Sequence, residues 1–359
     1  MMNMHKIDAN MHQIDTDKRR YHNSWTELNA EMRALETRDG NLLGAVEHLR
    51  EHQLERGFIR DNLGAVQCYR FPHPDDAARF LSVQYNPERV NRLKIRVNAI
   101  PPERGDAINN DCFLCASNIQ WQHRGIEFGY DVEQDNTHFH VWMNAYPLMP
   151  LHLVIATCDH IPQAWNLDET APGQFTIRQI ITNLAELSAR MPGYVGFYNG
   201  EGAGTSVPKH FHYQFFRRRS VEEIFPLELA PAHAIDDIES VIEDYPVEGM
   251  CWQGGDPDTV INRAVESVEH WLRTRIGLRP TLSANIFAMT DADGSHLRIY
   301  FVPRDKDLGH SPHMAGMIGS LEILGELVLT TETEKHDLDR GDVDYQKIAR
   351  ILGDIRVPL

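Results

Sequence analysis

Apolar residues recur at helical spacing in several stretches of the chain and alternate with polar ones in others. Ile177, Ile180, Ile181, Leu184 and Leu187 mark one face of a helix over Phe175–Arg190, which Pro192-Gly193 stops. Val260, Ile261, Ala264, Val265, Val268 and Leu272 do the same over Asp256–Ile276, and a last helix fits Asp342–Ile355. Near the start, Ser24 is placed to cap a helix running to Thr37, Asp39-Gly40 reads as a turn, and Leu42, Leu43, Val46 and Leu49 open a second helix. Strands are predicted at Val66–Arg70 and Phe80–Tyr85, around the turn-rich Pro72–Asp76, and at His138–Asn144 and Leu151–Thr157. Further strands follow at His210–Arg217, Leu282–Met289 and His296–Val302, the last two joined by the hairpin composition Asp291-Ala-Asp-Gly294.

Helices and strands alternate without the regular spacing of a doubly wound sheet, which predicts an α+β fold. Residues 1–20 carry no apolar periodicity and are expected to form a mobile N-terminal arm. The remainder is expected to form two related halves, 21–219 and 220–359, joined within the acidic, proline-containing stretch Ser220–Asp256.

Composition narrows the function classes. Of 359 residues 42% are apolar and 24% charged, as in folded soluble proteins. No run approaches the ~18 apolar residues of a membrane span. Met1–Arg20 lacks the apolar core of a secretory signal, so a cytoplasmic location is expected. A net charge of −17 argues against nucleic acid as a partner. Five irregularly spaced cysteines make no disulfide scaffold. Small molecules are the expected partners, for a monomer or homodimer. With 19 histidines in the chain, about one H-x-H pair arises by chance, so such a pair has weight only through its flanks.

The sharpest local feature is Gly204-Thr-Ser-Val-Pro-Lys-His-Phe-His-Tyr-Gln214. On a strand, His210, His212, Gln214 and Phe216 share one face, while Phe211, Tyr213 and Phe215 share the other. The preceding glycine and hydroxyl loop can offer backbone N–H groups to phosphate oxygens. A second pair, His138/His140, has no such flanks. Cys112-Phe-Leu-Cys115 is half of a zinc site or, equally, a redox pair, with no βαβ context to favour the latter. Arg217-Arg218-Arg219 is a cationic cluster at a strand end, from which one arginine can reach a phosphate. Trp121, Trp142 and Trp165 read as core.

These residues resemble the histidine-triad superfamily, in the H-x-H-x-Q branch shared by galactose-1-phosphate uridylyltransferase, diadenosine tetraphosphate phosphorylase and the GDP-hexose phosphorylases. Val83–Arg89, Cys112–Cys115 with Asn118, Phe197-Tyr-Asn-Gly200, Asn144–His152 and Ala156–Pro162 resemble a bacterial uridylyltransferase-like family of unassigned substrate. Ser283–Phe287, Tyr300–Arg304 and Gly316-Met317 are similar to the second half of the phosphorylases. The resemblance implies two tandem histidine-triad-like halves with a mainly antiparallel sheet flanked by helices. It implies that His212 attacks the α-phosphorus of a nucleotide, and that Asn199, Ser206 and Gln214 contact its phosphates. Asn86, Asn144, Gly204 and Arg304 are the further candidates for substrate binding. Cys112, Cys115, His160 and His210 match the zinc ligands of the uridylyltransferases. The relatives carry Asn-x-Pro after the cysteines and an Asn-Pro pair, whereas this chain has Asn118-Ile-Gln and Asn144-Ala.

An amide at position 214 can donate a hydrogen bond but is no useful acid. It suffices when the leaving group is itself a phosphate. The expected activity is therefore nucleotidyl transfer or phosphorolysis on a nucleoside diphosphate sugar or dinucleoside polyphosphate, with phosphate or a sugar phosphate as acceptor. Two other readings share these residues: a nucleotide hydrolase on the same scaffold, and a nucleotide-binding zinc protein without turnover.

Overall fold

The computed structural model describes residues 26–60, 63–91, 112, 114–115, 130–167 and 173–359. The N-terminal arm, Ser24, Asn118 and Trp121 lie outside the described residues.

Two helices come first, α1 over 26–39 and α2 over Leu43–Glu55. A hairpin follows, β1 (Gln67–His73) and β2 (Asp76–Tyr85), then β3 (Tyr130–Gln134), β4 (Thr137–Met143) and β5 (Leu153–Thr157). The short strands β6 (Trp165–Asn166) and β7 (Phe175–Thr176) lead into α3 (Ile177–Ala189), then β8 (Tyr194–Asn199) and β9 (His212–Arg217). The remainder carries β10 (Ala232–Ala234), β11 (Glu239–Ile242), β12 (Met250–Gly254), α4 (Pro257–Arg275), β13 (Leu282–Thr290) and β14 (Leu297–Asp305). It ends with α5 (Ser320–Ile323), β15 (Glu326–Leu329), α6 (Glu332–Arg340) and α7 (Tyr345–Gly353).

Ten strands form one sheet in the order β10-β11-β12-β14-β13-β8-β9-β5-β4-β3, with every neighbouring pair antiparallel. Two apolar cores cover it. The first joins α1 to α4 to one face through Leu49, Ile180, Leu184, Val265, Leu272, Phe211, Tyr213 and Phe215. The second joins the opposite face to β2, β15 and α7 through Val83, Phe197, Phe216, Phe287, Leu327 and Ile351. β15 pairs in parallel with β2, Glu326 beside Ser82 through Leu329 beside Tyr85. This is the α+β architecture with a mainly antiparallel sheet flanked by helices that the sequence predicts. Among the described residues no helix is long and apolar enough to cross a membrane.

Local chemistry sets the element ends. Thr176 caps α3 by accepting from the Gln179 N–H while the Gln179 side chain accepts from the Thr176 N–H. Thr331 and Glu334 repeat that box at α6, and Gly341, at φ 76°, ends it in the left-handed region. One boundary differs from the sequence reading at the candidate site. The strand begins at His212, and His210 lies two residues ahead of it, because the His210 ring turns away from the ladder toward Cys112, Cys115 and the Thr157 carbonyl.

Candidate active site

β9 owes its place to its alternation. Phe211, Tyr213 and Phe215 are buried in the first core, which turns His212, Gln214 and Phe216 to the opposite face. Ala156 lies opposite His212 on β5, and Phe197 lies opposite Gln214 on β8. Continuing the β8 register places Asn199 beside His212. A buried glutamine, Gln163, locks that corner: its Oε1 accepts from the His212 N–H at 2.7 Å, and its Nε2 donates to the carbonyls of His212 and Asn199 at 2.9 Å each.

The His212 ring is oriented by its own strand. Nδ1 lies 2.9 Å from the His210 carbonyl, which only accepts, so Nδ1 carries the proton and Nε2 holds the lone pair. Burial pulls His212 down to about 4, so the imidazole is neutral at pH 7. Gln214 is oriented by His152. The Leu148 N–H donates to His152 Nδ1 at 3.1 Å, which leaves Nε2–H to donate to Gln214 Oε1 at 2.9 Å. Burial first, and the Arg89 charge second, push His152 down to about 3, so this tautomer holds throughout the neutral range. With its carbonyl taken, Gln214 presents its NH₂ group as a donor.

Asn199 ends β8, and the loop after it packs on the C-terminal half. A Cβ at Gly204, where φ is 96°, would lie 2.2 Å from Gly319 Cα, and one at Gly202 would lie 2.5 Å from Lys306 Cα. Backbone therefore meets backbone at both points, and Lys306 Nζ adds an ion pair to Glu201 at 2.6 Å. Ser206 is exposed on the same loop.

The other candidates fall in two places. Asn86 and Asn144 hold the segment that carries His152: Asn144 N–H donates to the His152 carbonyl at 2.7 Å, its Oδ1 accepts from Tyr146 N–H, and Asn86 Nδ2 reaches the Pro147 carbonyl. Arg304 is fully buried on β14, where Nη1 donates to Asn285 Oδ1 and the Ile318 carbonyl. Burial pulls its guanidinium down to about 10, against the Glu322 charge, and it remains a cation at pH 7. The three strand-end arginines are taken by carboxylates: Arg217 by Glu47, Arg218 by Glu228, and Arg219 by Glu223 and Glu326. Trp142 is core, and Trp165 packs against it half-buried.

Cys112, Cys115, His160 and His210 come together with their ligand atoms all within 4.8 Å of one another. His210 Nδ1 lies 3.4 Å from Cys112 Sγ and 3.5 Å from Cys115 Sγ, and His160 Nδ1 lies 3.3 Å from Cys115 Sγ. Two ligands at tetrahedral angles on one zinc lie about 3.3–3.8 Å apart, so the spacing fits that ion. The supporting hydrogen bond fits too, since His210 Nε2 donates to the Thr157 carbonyl at 2.7 Å and leaves Nδ1 toward the sulfurs. The hydrogen bond with Cys115, and then His210, pull the Cys112 thiol below its usual range against burial. This Cys₂His₂ group can hold a metal ion such as zinc.

Sequence reasoning singled out His210, His212 and Gln214 but gave no role to Gln163, His152 or Asn285. All three lie in or beside stretches already similar to the relatives, His160-Ile-Pro-Gln163, Pro150-Leu-His152 and Ser283-Ala-Asn285. Their signal was a buried polar residue in an apolar run, which needs a partner to be read.

Solved proteins share this architecture. Yeast Ap4A phosphorylase Apa2 matches with a TM-score of 0.58 and 13% identity over 87% of this chain and 97% of that one. Its complex with Ap4A gives 0.55 and 15%, over 87% and 98%. Its complex with AMP gives 0.56 and 14%, over 87% and 95%. The class these matches define is an α+β protein of the histidine-triad-like fold. A family model described as a domain of unknown function, DUF4922, matches residues 52–217, the part that carries the cysteine pair and the β9 motif. No curated protein matches.

Proposed function

We propose that this chain is a nucleotidyltransferase that opens a pyrophosphate bond of a dinucleoside polyphosphate or nucleoside diphosphate sugar through a covalent nucleotidyl-histidine on His212. The observation that carries this reading is the buried, neutral His212 with its lone pair on Nε2, beside two amide side chains, Asn199 and Gln214. The likeness in fold to a phosphorylase solved with Ap4A and AMP supports the choice of substrate class.

In the first step the Nε2 lone pair forms a P–N bond to the α-phosphorus while the P–O bond to the bridging oxygen breaks. That oxygen leaves with its electron pair as the end of a phosphate, so no strong acid is needed. Gln214 and Asn199 donate to the oxygens on which charge builds, with Ser206 and the Gly204 loop on the same phosphates. In the second step an oxygen of inorganic phosphate or a sugar phosphate attacks the phosphoramidate and the P–N bond breaks, which returns the neutral imidazole. Asn86 and Asn144 shape the nucleotide pocket through the His152 segment. Cys112, Cys115, His160 and His210 would hold a structural zinc, whose contribution is to fix the start of β9 rather than to activate water. The same reading divides the chain into a nucleophile-bearing half, 21–219, and a half, 220–359, that packs on the glycine loop.

The test is intact-protein mass after incubation with Ap4A and a panel of nucleotide sugars in phosphate-free buffer. A gain of one nucleoside monophosphate, discharged by added phosphate or a hexose phosphate, is expected. Turnover in phosphate-free buffer that added phosphate leaves unchanged, with no adduct at any time, would favour the hydrolase reading.

A further inference from the structure

A chain of side chains with a fixed direction runs from the C-terminal half to the nucleophile. Arg304 Nη1 donates to Asn285 Oδ1 at 2.6 Å, and Asn285 Nδ2 donates to Asn199 Oδ1 at 2.6 Å and to the Ala203 carbonyl at 2.8 Å. Ser320 Oγ donates to the same Asn199 oxygen. Asn285 and Arg304 are both 0% exposed, and Asn285 sits beside Asn199 across the β13–β8 ladder.

The direction of this chain follows from chemistry at its two ends. A guanidinium has donors only, so the atom of Asn285 facing it is the oxygen. The Ala203 carbonyl accepts only, so the atom facing it is the Asn285 nitrogen. The amide of Asn285 therefore has one allowed setting, and that setting presents a donor to Asn199. Asn199 must answer with its oxygen, which turns its Nδ2 the other way, toward Gly319, where a Cβ would come 3.4 Å from that nitrogen. Each bond also polarises the next, so a buried cation strengthens the last N–H as a donor.

We infer that Asn285, held by Arg304 and joined by Ser320, is a positioning residue that sets the Asn199 amide with its nitrogen toward the transferring phosphoryl group. Arg304 acts through two amides without touching substrate. The inference rests on the nucleotidyl-transfer reading for its effect on rate, and on geometry alone for the amide setting.

Asn285→Asp tests both. It keeps the side-chain size and gains an ion pair with Arg304, which offsets the hydrogen bond lost to the Ala203 carbonyl and the oxygen–oxygen contact left there, so the variant is expected to fold, as the thermal midpoint checks. It also removes the donor and offers Asn199 an acceptor, so the Asn199 amide turns over. The first measurement needs no substrate. Hydrogen exchange of the Asn199 NH₂, identified in ¹⁵N spectra by its loss in Asn199→Ala, is expected to slow at least about tenfold in Asn285→Asp as the group turns inward; unchanged exchange overturns the inference. The second is the rate constant of nucleotidylation, expected to fall about tenfold in Asn285→Asp with half-saturation by Ap4A little altered, and about a hundredfold in Asn199→Ala. In the double variant the loss equals that of Asn199→Ala alone, because Asn285 acts only through Asn199. Losses that multiply overturn the inference and indicate a structural role. Should Asn285→Asp fail to fold, Ser320→Ala removes the other donor to the same oxygen and is expected to act in the same sense with smaller size. An unaltered protein that forms no adduct with any donor would defeat the nucleotidyl-transfer reading, and the exchange measurement then decides the amide setting by itself.

Discussion

His210 and His212 stand two residues apart, both buried and both bonded to a backbone carbonyl, yet they belong to different regions of the molecule. At the cysteine corner, the Thr157 carbonyl takes Nε2–H of His210 and leaves Nδ1 facing two sulfurs. On the sheet face, the His210 carbonyl takes Nδ1–H of His212 and leaves Nε2. One residue type can thus offer Nδ1 to a metal or Nε2 to a substrate according to which ring nitrogen a carbonyl occupies. The pair is also linked in series, because the carbonyl that orients His212 belongs to the residue that the cysteine corner holds.

The largest expected effect separates the two regions. His212→Asn should lower nucleotidyl transfer about 10⁴-fold or more, with metal content and thermal midpoint preserved, as read by adduct mass and metal analysis. Retained turnover would show that the two histidines had been assigned the wrong way round. The next effect tests the link. Cys115→Ser should lose about one bound zinc per chain and lower stability by roughly 3 kcal/mol or more in denaturant unfolding. Activity should fall with it, because β9 loses its anchored start. A variant that keeps its zinc, or loses it without cost in stability, breaks the comparison.

The last effect, which appears only as the pH falls, concerns His152, a third buried imidazole, held between the Leu148 N–H and Gln214. Its folded-state value, about 3, lies below its ordinary 6.5, so the unfolded chain binds the proton more readily. The stability it contributes is present above pH 6.5 and is lost as the pH falls toward 3, by about 1.4 kcal/mol per pH unit. Denaturant unfolding of the protein and of His152→Gln across pH 7 to 4 should show the difference between them shift against the histidine form as the pH drops. Parallel curves would show that His152 is not buried as a neutral ring.

Much of this was legible in the sequence because it is periodic. The helices α3 and α4 carry apolar stripes, and β9 and β13 carry strand patterns, so their places follow from spacing alone. What spacing missed has another cause. Helix α6 has a single buried residue, Leu338, and exists through its capping box and Gly341. Strands β10 to β12 and β15 are three to five residues long, too short for a period to show. At the site, the cysteine pair and the H-x-H-x-Q run were visible as motifs. The orienting residues Gln163, His152 and Asn285 were not, since a buried amide or imidazole is identified by its partner, and His212, Gln214 and Asn199 lie 49, 62 and 86 residues from them, separations that no periodic spacing connects.

The parallel pairing of β15 with β2 has a consequence for how the chain is made. The edge of β2 that receives Glu326–Leu329 is completed by a segment about 240 residues downstream, which a ribosome reaches roughly 12–50 s later. Until then the edge of β2 that β15 will pair lacks that partner, and an unpaired strand edge is a template for other strands. Slowed elongation between β2 and β15 lengthens the interval in which that edge stands unpaired.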